Sequence, residues 1–269
     1  MPYIASIIIA TYNRAHCITN AIDSALLTIK DSGTSMEIII VDDCSNDDTE
    51  KLLNKKYKEK ISSGDIIYFK LTANKGVSGA RNAGVVRAKG DWVIFFDSDD
   101  TLIEDSACNI FNEIKNNSDA SVIFFRCIDQ DGHRVGSNFK QTSQPINLKN
   151  FLLFGSFGEC LVAIKRDFAT NFPFDEALRG YEGLTIARII KHSGKPGVLS
   201  SSFARKYIQS GGDRLSSKLG FAPRMLLIGK GHWLMAKEFY KDMPISATIS
   251  YALKSLAYKI LYYKFKLFN

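Results

Sequence analysis

The sequence predicts an α/β fold, with a mostly parallel sheet flanked by helices and a helical extension at the C-terminal end. Short apolar segments alternate with segments of helical periodicity along residues 3–126, and this alternation is typical of β-α-β units. Polar residues follow three of the apolar segments, as expected where strands leave a buried sheet. The 269 residues, 45% of them hydrophobic, suffice for one large domain or a domain with an appendage.

Strands are predicted where apolar runs are short and rich in β-branched or aromatic residues. Such runs are typical of strands that are buried on both faces of a parallel sheet. In chain order they lie at residues 3–10 (YIASIIIA), 37–41 (EIIIV), 65–71, 92–96 (WVIFF) and 120–126.

Helices are predicted between these strands. Residues 16–29, for example, carry apolar side chains at positions 18, 22, 25, 26 and 29, which share one face of a helix. The others are expected at 48–58, 80–88 and 104–116, with residues 74–79 as a turn.

The pattern is less regular after residue 129. A polar loop or hairpin is predicted at 129–144, and a loop at 172–176. Gly194 is placed to cap the helix before it. The remaining predicted elements are helices at 147–153 and 184–191, strands at 159–164 and 203–208, and two closing helices at 218–240 and 246–267.

Composition limits the classes of function. Five scattered cysteines without a CxxC pair argue against a disulfide framework or a zinc site and favour a reducing compartment. No apolar stretch approaches the ~20 residues of a membrane-spanning helix, and the first residues lack the basic start of a signal peptide. We therefore expect a cytoplasmic protein.

Charge is uneven along the chain. The net charge is +7, and from residue 200 onward 12 Lys and Arg face three acidic residues. A basic surface can meet nucleic acid, anionic lipid or a diphosphate substrate. Nucleic-acid binding depends on this charge alone, and we expect no nucleic-acid partner.

Acidic residues gather after the predicted strands. Asp97, Asp99 and Asp100 follow the strand at 92–96, and Asp42 and Asp43 follow the strand at 37–41. The carboxyl ends of parallel strands meet at one edge of a sheet, where ligands bind. Clustered carboxylates suit Mg²⁺ or Mn²⁺ shared with a phosphate. The alternative is that Asp99 or Asp100 caps the following helix.

Four segments in this order resemble the family-2 glycosyltransferases, which have the GT-A (Rossmann-like) fold. They are SIIIATYNR, EIIIVDDCSNDDT, NKGVSGARNAGVVRAKGDW and VIFFDSDDTL. The resemblance is close over residues 4–102 and looser to about residue 200. It implies transfer of a sugar from a nucleotide donor with inversion. It also implies a catalytic domain at 1–215, with a nucleotide-binding half at 1–102 and an acceptor-binding half at 103–215, followed by a basic helical extension at 216–269.

The resemblance implies roles for the residues that bind the donor. Thr11 and Tyr12 would line the base pocket, and Arg14 would also bind the nucleotide. Asp42, with Asp43 beside it, would hydrogen-bond the uracil.

Other residues of the resemblance would hold the diphosphate and the metal. Arg81 would lie near the diphosphate. Asp97 and Asp99 form the DxD pair, with Asp97 at the ribose and metal side and Asp99 as the direct ligand of Mn²⁺ or Mg²⁺. Arg214, followed by Ser216 and Ser217, resembles the loop that closes over the diphosphate.

An inverting transferase also needs a general base for the acceptor hydroxyl. Family members carry Glu-Asp at the start of a helix, and this chain has Glu182 followed by Gly183. We predict Glu182 as the base, with Asp175 and Glu176 as alternatives. Because glycine replaces the family's Asp, the second hypothesis is a catalytically inactive, sugar-nucleotide-binding partner of another transferase.

The resemblance further implies a UDP-sugar donor and a lipid-linked saccharide acceptor, in O-antigen or other surface polysaccharide synthesis. Residues 246–269 carry four lysines, several tyrosines and no acid. The lysines point in several directions on a helix, so the pattern is not cleanly amphipathic. We predict peripheral contact with the cytoplasmic face of the inner membrane. The alternative is packing on the catalytic domain or in a homodimer.

Overall fold

One sheet organises the part of the chain that this computed structural model describes, which is residues 3–138, 140–178, 180–207 and 224–268. Its strands are β1 (Ala5–Thr11), β2 (Met36–Asp42), β3 (Ile66–Lys70), β4 (Trp92–Asp97), β5 (Thr101–Leu102), β6 (Val122–Ile128), β7 (Arg134–Val135), β8 (Gln144–Ile146), β9 (Cys160–Lys165) and β10 (Gly197–Lys206).

The strand order is β3-β2-β1-β4-β9-β6-β10-β5, with β7 on β6 and β8 on β10. The first four strands are parallel to one another. Strand β9 then runs antiparallel between β4 and β6, and β10 returns parallel to β6. The predicted α/β fold with a mostly parallel sheet is confirmed, and the antiparallel β9 is the departure that the sequence pattern did not predict.

Helices cover both faces of the sheet. They are α1 (Ile18–Ser32), α2 (Thr49–Lys56), α3 (Lys58–Ser63), α4 (Gly76–Arg87), α5 (Ser106–Asn116), α6 (Leu148–Phe154), α7 (Arg166–Asn171), α8 (Gly183–Ser193), α9 (Met225–Phe239) and α10 (Ile245–Phe268), with a short 3-10 helix at Glu176–Leu178.

Several boundaries differ from the predictions. The helix expected at 48–58 breaks at Tyr57, because the Tyr57 ring turns inward and its hydroxyl donates to Asp23 at 2.7 Å. Strand β10 begins six residues earlier than expected, and α7 was not predicted. The C-cap at Gly194 is confirmed, with a left-handed φ of 64°.

Side chains alternate between two apolar cores along the strands. In β2, Ile38 and Ile40 face a core shared with α1 and α5, which we call the α1 face. Ile39 and Val41 face a second core shared with α4, α8 and α9, which we call the α8 face. Successive side chains of a strand point to opposite faces, so the position of a residue in the strand decides which core it enters.

Gly90 fixes the entry to β4. A side chain there would place its Cβ 2.5 Å from the carbonyl carbon of Ala5, so only glycine permits this approach. The Gly90 amide donates to Ser6 Oγ at 2.9 Å, and Ser6 donates to the buried carboxylate of Glu37 at 2.6 Å. This network ties β1, β2 and β4 together below the edge where their acidic residues lie.

Helices α9 and α10 are integrated into the structure. Met235, Phe239 and Met243 are buried in the α8-face core together with Leu178 and Leu184. The predicted boundary at 215/216 lies outside the described residues. None of the helices in the described ranges combines the length and the apolar character that a membrane crossing requires.

Candidate functional site

A cleft of about 1200 Å³ opens on the α8 face, at the carboxyl ends of β1 and β4. The amino-terminal ends of α4 and α8 form its other walls. Eight of the predicted site residues line it: Thr11, Tyr12, Arg14, Asp43, Arg81, Asp97, Asp99 and, from the start of α8, Glu182. The sheet therefore gathers residues that are up to 171 positions apart in the sequence.

One end of the cleft is formed where β1 and β2 stop. The Asp43 amide donates to the Thr11 carbonyl at 2.8 Å, and Asp43 Oδ1 accepts from the Lys75 amide at 2.7 Å. The Thr11 hydroxyl is buried and has no hydrogen-bond partner among the described residues. Thr11 has the parity of Ile7 and Ile9 in β1, so its hydroxyl faces the α1 side of the sheet and not the cleft.

The Asp42 carboxylate is not among the predicted site residues that the structure brings together in the cleft. It is fully buried. Its Oδ1 accepts from the Ser45 amide at 2.7 Å and its Oδ2 from the Tyr68 hydroxyl at 3.2 Å. Asp42 has the same parity in β2 as Ile38 and Ile40 and so faces away from the cleft. Asp43, in step with Ile39 and Val41, faces it.

Asp97 is held between two arginines. Its Oδ1 accepts from Arg81 at 2.8 Å and its Oδ2 accepts from Arg205 at 2.7 Å. Arg81 projects from α4 and lies over the rings of Phe95 and Phe174, at 5.8 and 5.9 Å. The two guanidinium groups neutralise Asp97 and fix its orientation at the end of β4.

Glu182 meets this cluster from the other wall of the cleft. Its Oε1 accepts from Arg81 at 3.2 Å, so one guanidinium joins the predicted base to the first Asp of the DxD pair. Glu182 occupies the N-cap position of α8, where the helix dipole stabilises a negative charge. A side chain at Gly183 would meet nothing within 4 Å of its Cβ, so the space beside Glu182 is open.

The alternative bases lie elsewhere. Asp175 Oδ1 accepts from the Ala177 amide at 2.9 Å and caps the short 3-10 helix. The Glu176 carboxylate lies against Gly79 of α4. Neither carboxylate lines the cleft, so the geometry favours Glu182 over both.

The acidic residues fit a divalent cation. Asp99 lines the cleft two residues beyond Asp97, and a site with one or two carboxylates plus phosphate oxygens is the usual Mg²⁺ arrangement. Both Asp97 oxygens also accept hydrogen bonds from arginines, so Asp97 is better placed to orient the site than to coordinate a cation alone.

A second group of possible metal ligands, Asp129, Asp131 and His133, comes together in the described residues. The Asp131 and His133 amides both donate to the Asp129 carboxylate, so the hydrogen bonds of a turn explain why these side chains are close.

Arg205 is a site residue that the sequence analysis missed. It is 3% exposed near the end of β10, and besides Asp97 it contacts Asp100 at 3.3 Å and Glu159 at 3.2 Å. Burial opposes its charge, but Asp97 foremost, followed by Cys127 and Asp100, raises its pKa above the usual range. A charged residue within the predicted strand at 203–208 was the available signal, because a buried arginine requires anionic partners.

Two more cleft residues come from outside the predicted motifs. Arg224, the N-cap of α9, packs against Gly180, where an added Cβ would overlap its guanidinium. Cys160 lines the cleft as a free thiol. Burial, reinforced by Cys127, raises the pKa of Cys160 to about 12, so it stays protonated and is not a nucleophile. Arg214, Ser216 and Ser217 lie outside the described residues.

The sequence model of Glycosyl transferase family 2 matches residues 6–169. The succinoglycan biosynthesis protein ExoO of Rhizobium meliloti (strain 1021) is 30% identical over 218 residues, which are 76% of this chain and 60% of ExoO. The GalNAc(5)-diNAcBac-PP-undecaprenol beta-1,3-glucosyltransferase of Campylobacter jejuni is 27% identical over 192 residues, 69% of this chain and 59% of that protein. The chain thus spans about 60% of the length of these curated relatives.

Among solved structures, S. aureus TarS 1-349 in complex with UDP-GlcNAc is similar with a TM-score of 0.71 and 21% identity, over 94% of this chain and 72% of that one. At this identity the likeness establishes the fold, which is the GT-A fold. The family match covers more than half of the chain and includes β1, β2, β4 and the acidic residues at their ends. The chain therefore belongs to glycosyl transferase family 2.

Proposed function

We propose that this chain transfers a hexose or N-acetylhexosamine from a UDP-sugar, with inversion, to a sugar hydroxyl of a lipid-diphosphate-linked saccharide. The setting is O-antigen or other surface polysaccharide synthesis. One observation carries the proposal: Arg81 joins Asp97 and Glu182 in one cleft, so a donor-binding carboxylate and a base stand close enough to act on one substrate pair.

The donor would lie along the β1–β4 edge. Thr11, Tyr12, Arg14 and Asp43, which line one end of the cleft, would hold the base. Asp97 would meet the ribose and Arg81 would face the diphosphate, where a guanidinium binds phosphate oxygens bidentately. TarS, which binds UDP-GlcNAc, supports a UDP-sugar.

Asp99, with Asp97 beside it, would hold Mn²⁺ or Mg²⁺. The metal would supply Lewis-acid stabilisation of the departing diphosphate. The chain's own contribution is to fix those carboxylates at the end of β4, with Arg81 and Arg205 holding Asp97 in place.

Glu182 would act on the acceptor. The acceptor hydroxyl oxygen attacks the anomeric carbon from the face opposite UDP, the bond from that carbon to the diphosphate oxygen breaks, and Glu182 takes the hydroxyl proton. Glu182 lies at the N-terminus of α8, where the helix dipole favours negative charge. Attack from the opposite face gives the inverted linkage.

A lipid-linked acceptor also implies a location. The Campylobacter relative is named for an undecaprenol-diphosphate acceptor, and such acceptors lie in a membrane. We therefore propose a cytoplasmic protein that associates peripherally with the inner face of the cytoplasmic membrane.

The test is a screen of UDP-sugars against a GlcNAc- or GalNAc-diphosphate-lipid acceptor with Mn²⁺, with the product read by mass. Asp99→Ala should abolish metal-dependent transfer while the circular dichroism spectrum is kept. Glu182→Gln should lower kcat by roughly 10²–10⁴ with the donor KM little changed. Asp175→Asn, the matched control outside the cleft, should keep the wild-type kcat. Normal turnover of Asp99→Ala, or of Glu182→Gln, would refute the assigned role.

Gly183 motivates a second candidate, a catalytically inactive sugar-nucleotide-binding partner of another transferase. The space beside Gly183 accepts a side chain, so Gly183→Asp restores the residue of the family without a steric clash. Donor binding without transfer in the wild type, together with transfer in Gly183→Asp, would favour this candidate.

A further inference from the structure

Helix α10 presents an apolar stripe to solvent. Seven large, mostly apolar side chains of the helix form this stripe, and each is 48–79% exposed. At 3.6 residues per turn they fall within an arc of about 80° and extend for about 33 Å along the helix. We define the apolar stripe as Ile245, Ile249, Leu253, Leu256, Ile260, Tyr263 and Leu267.

The stripe is not the face that holds α10 on the protein. The opposite face carries Tyr251, Ser255 and Tyr258. Tyr251 donates to the Leu152 carbonyl at 2.7 Å, and the Ser255 backbone lies against Gly229 of α9. The helix is thus apolar on two opposite sides, which explains why its sequence does not show one amphipathic face. Two further exposed side chains, Leu261 and Phe265, lie outside the stripe.

Charge identifies the surface that the stripe matches. Lys259 and Lys266 flank it on one side and Lys264 on the other, at the angles that 3.6 residues per turn gives them. No Asp or Glu occurs after Asp242. An apolar strip bordered by long cationic side chains suits a lipid surface, where the rings and aliphatic chains enter the interface and the lysines reach anionic head groups.

We infer that the apolar stripe docks this protein on an anionic lipid bilayer, with α10 lying in the plane of the interface. A soluble protein rarely exposes so long an apolar strip without a partner. The inference rests on the proposed function in one respect: a lipid-linked acceptor would be present in that same interface.

Stacked tyrosine and histidine side chains connect helix α10 to the residues beside the cleft. The His232 ring of α9 lies 5.4 Å from the Tyr258 ring and 5.6 Å from the Tyr251 ring. His232 Nδ1 lies 2.7 Å from the Tyr181 hydroxyl, and Tyr181 precedes Glu182. Docking through the stripe would therefore hold the candidate base close to the bilayer.

The test is co-sedimentation of the full chain with vesicles of phosphatidylcholine alone or mixed with phosphatidylglycerol. We expect binding to the anionic vesicles, weakened by added salt. The double variant Leu253→Glu and Leu256→Glu should bind at least about tenfold more weakly, because apolar area is lost and anionic charge is added. The control is Leu27→Glu with Val86→Glu, which makes the same charge change at exposed apolar positions of α1 and α4 and should bind as the wild type does.

Two results would overturn the inference: no binding to anionic vesicles, or equal binding by the stripe variant and the control. A wild-type dimer in sedimentation velocity that the stripe variant dissociates, without vesicle binding, would assign the stripe to a second copy of the chain. Transfer to a water-soluble acceptor, measured without lipid, separates the two proposals. If vesicles bind and no donor is used, the proposed function fails and the docking surface stands.

Discussion

At the scale of single residues, Arg205 is the buried positive charge that balances the carboxylates of the cleft. It compensates Asp97 and Asp100 from within a strand, where both the arginine and Asp100 are removed from water. A buried pair contributes little net stability, but removal of one partner leaves the other charge uncompensated. The cost of losing Arg205 therefore falls on the carboxylates that we assign to the donor.

Arg205→Met should lower the free energy of unfolding by about 3–5 kcal/mol. Urea unfolding followed by tryptophan fluorescence measures it. The control is Lys56→Met, which removes a cation from the exposed pair with Asp23 and should cost less than about 1 kcal/mol. Equal losses in the two variants would contradict the assignment of Arg205 as the buried counter-ion.

His232 gives the protein a predictable response to acid. Burial, and then the charge of Lys254, lowers the pKa of His232 to about 4, and the rings of Tyr181, Tyr251 and Tyr258 also face it. A folded pKa below the usual ~6.5 means that the unfolded chain binds the proton more readily. The stability that depends on neutral His232 is present above pH 6.5 and is lost as the pH falls toward 4.

Between pH 7 and pH 5, the free energy of unfolding should fall more for the wild type than for His232→Gln. The difference should be about 1 kcal/mol, reduced from the full linkage value because the ring is partly exposed. Urea titrations at each pH measure it. Parallel pH profiles for the two proteins would show that His232 does not titrate in this range.

At the scale of elements, two glycines let α9 fit between the cleft and α10. The Gly229 backbone is approached by the Ser255 carbonyl of α10, 3.1 Å from where a Cβ would lie. A Cβ on Gly231 would overlap the Tyr181 ring, next to Glu182. The small residues of α9 therefore set the distance between α10 and Tyr181, and with it the position of the candidate base.

Gly231→Ala should destabilise the fold by about 1–3 kcal/mol, because the Tyr181 ring must move or the helix must shift. It should also lower kcat more than it changes the donor KM. Thermal unfolding and steady-state kinetics measure the two effects. Gly183→Ala, where the added methyl group meets nothing, is the matched control for stability. An unchanged melting temperature in Gly231→Ala would mean that the contact with Tyr181 is not tight.

At the largest scale, the α8-face core extends from the sheet into the C-terminal helix α9. Met235 and Phe239 of α9 are buried with Leu178 and Leu184, so α9 packs against the rest of the fold. The end of the chain thus combines two tasks on opposite sides of α10: packing on α9 and, in our proposal, contact with lipid.

Truncation after residue 224 should lower Tm by about 10 °C or more, because several large side chains lose their burial. Truncation after residue 244 keeps Met235, Phe239 and Met243 in place and should cost less. Differential scanning calorimetry measures both. An unchanged Tm after truncation at residue 224 would mean that the stability of the catalytic core does not depend on α9 and α10.

The α/β class, the first four strands and the acidic residues that follow two of them could be predicted from the sequence. Local apolar runs and their polar ends carry that information, because a strand buried on both faces must be apolar along its whole length. Arg81 was assigned from the motif segments, and Glu182 from the Glu-Asp that family members carry at the start of a helix; the roles of both stay predictions.

Which of two adjacent carboxylates enters the cleft became clear only from the arrangement of the sheet. Asp42 and Asp43 look equivalent in the sequence, and their parity in β2 sends one into a buried network and the other to the cleft. The fold also shows that Arg205, 108 residues from Asp97, completes the site, and that α10 exposes one apolar side while it buries the other. These outcomes depend on contacts between distant segments, and local sequence patterns carry no information about which distant residues will meet.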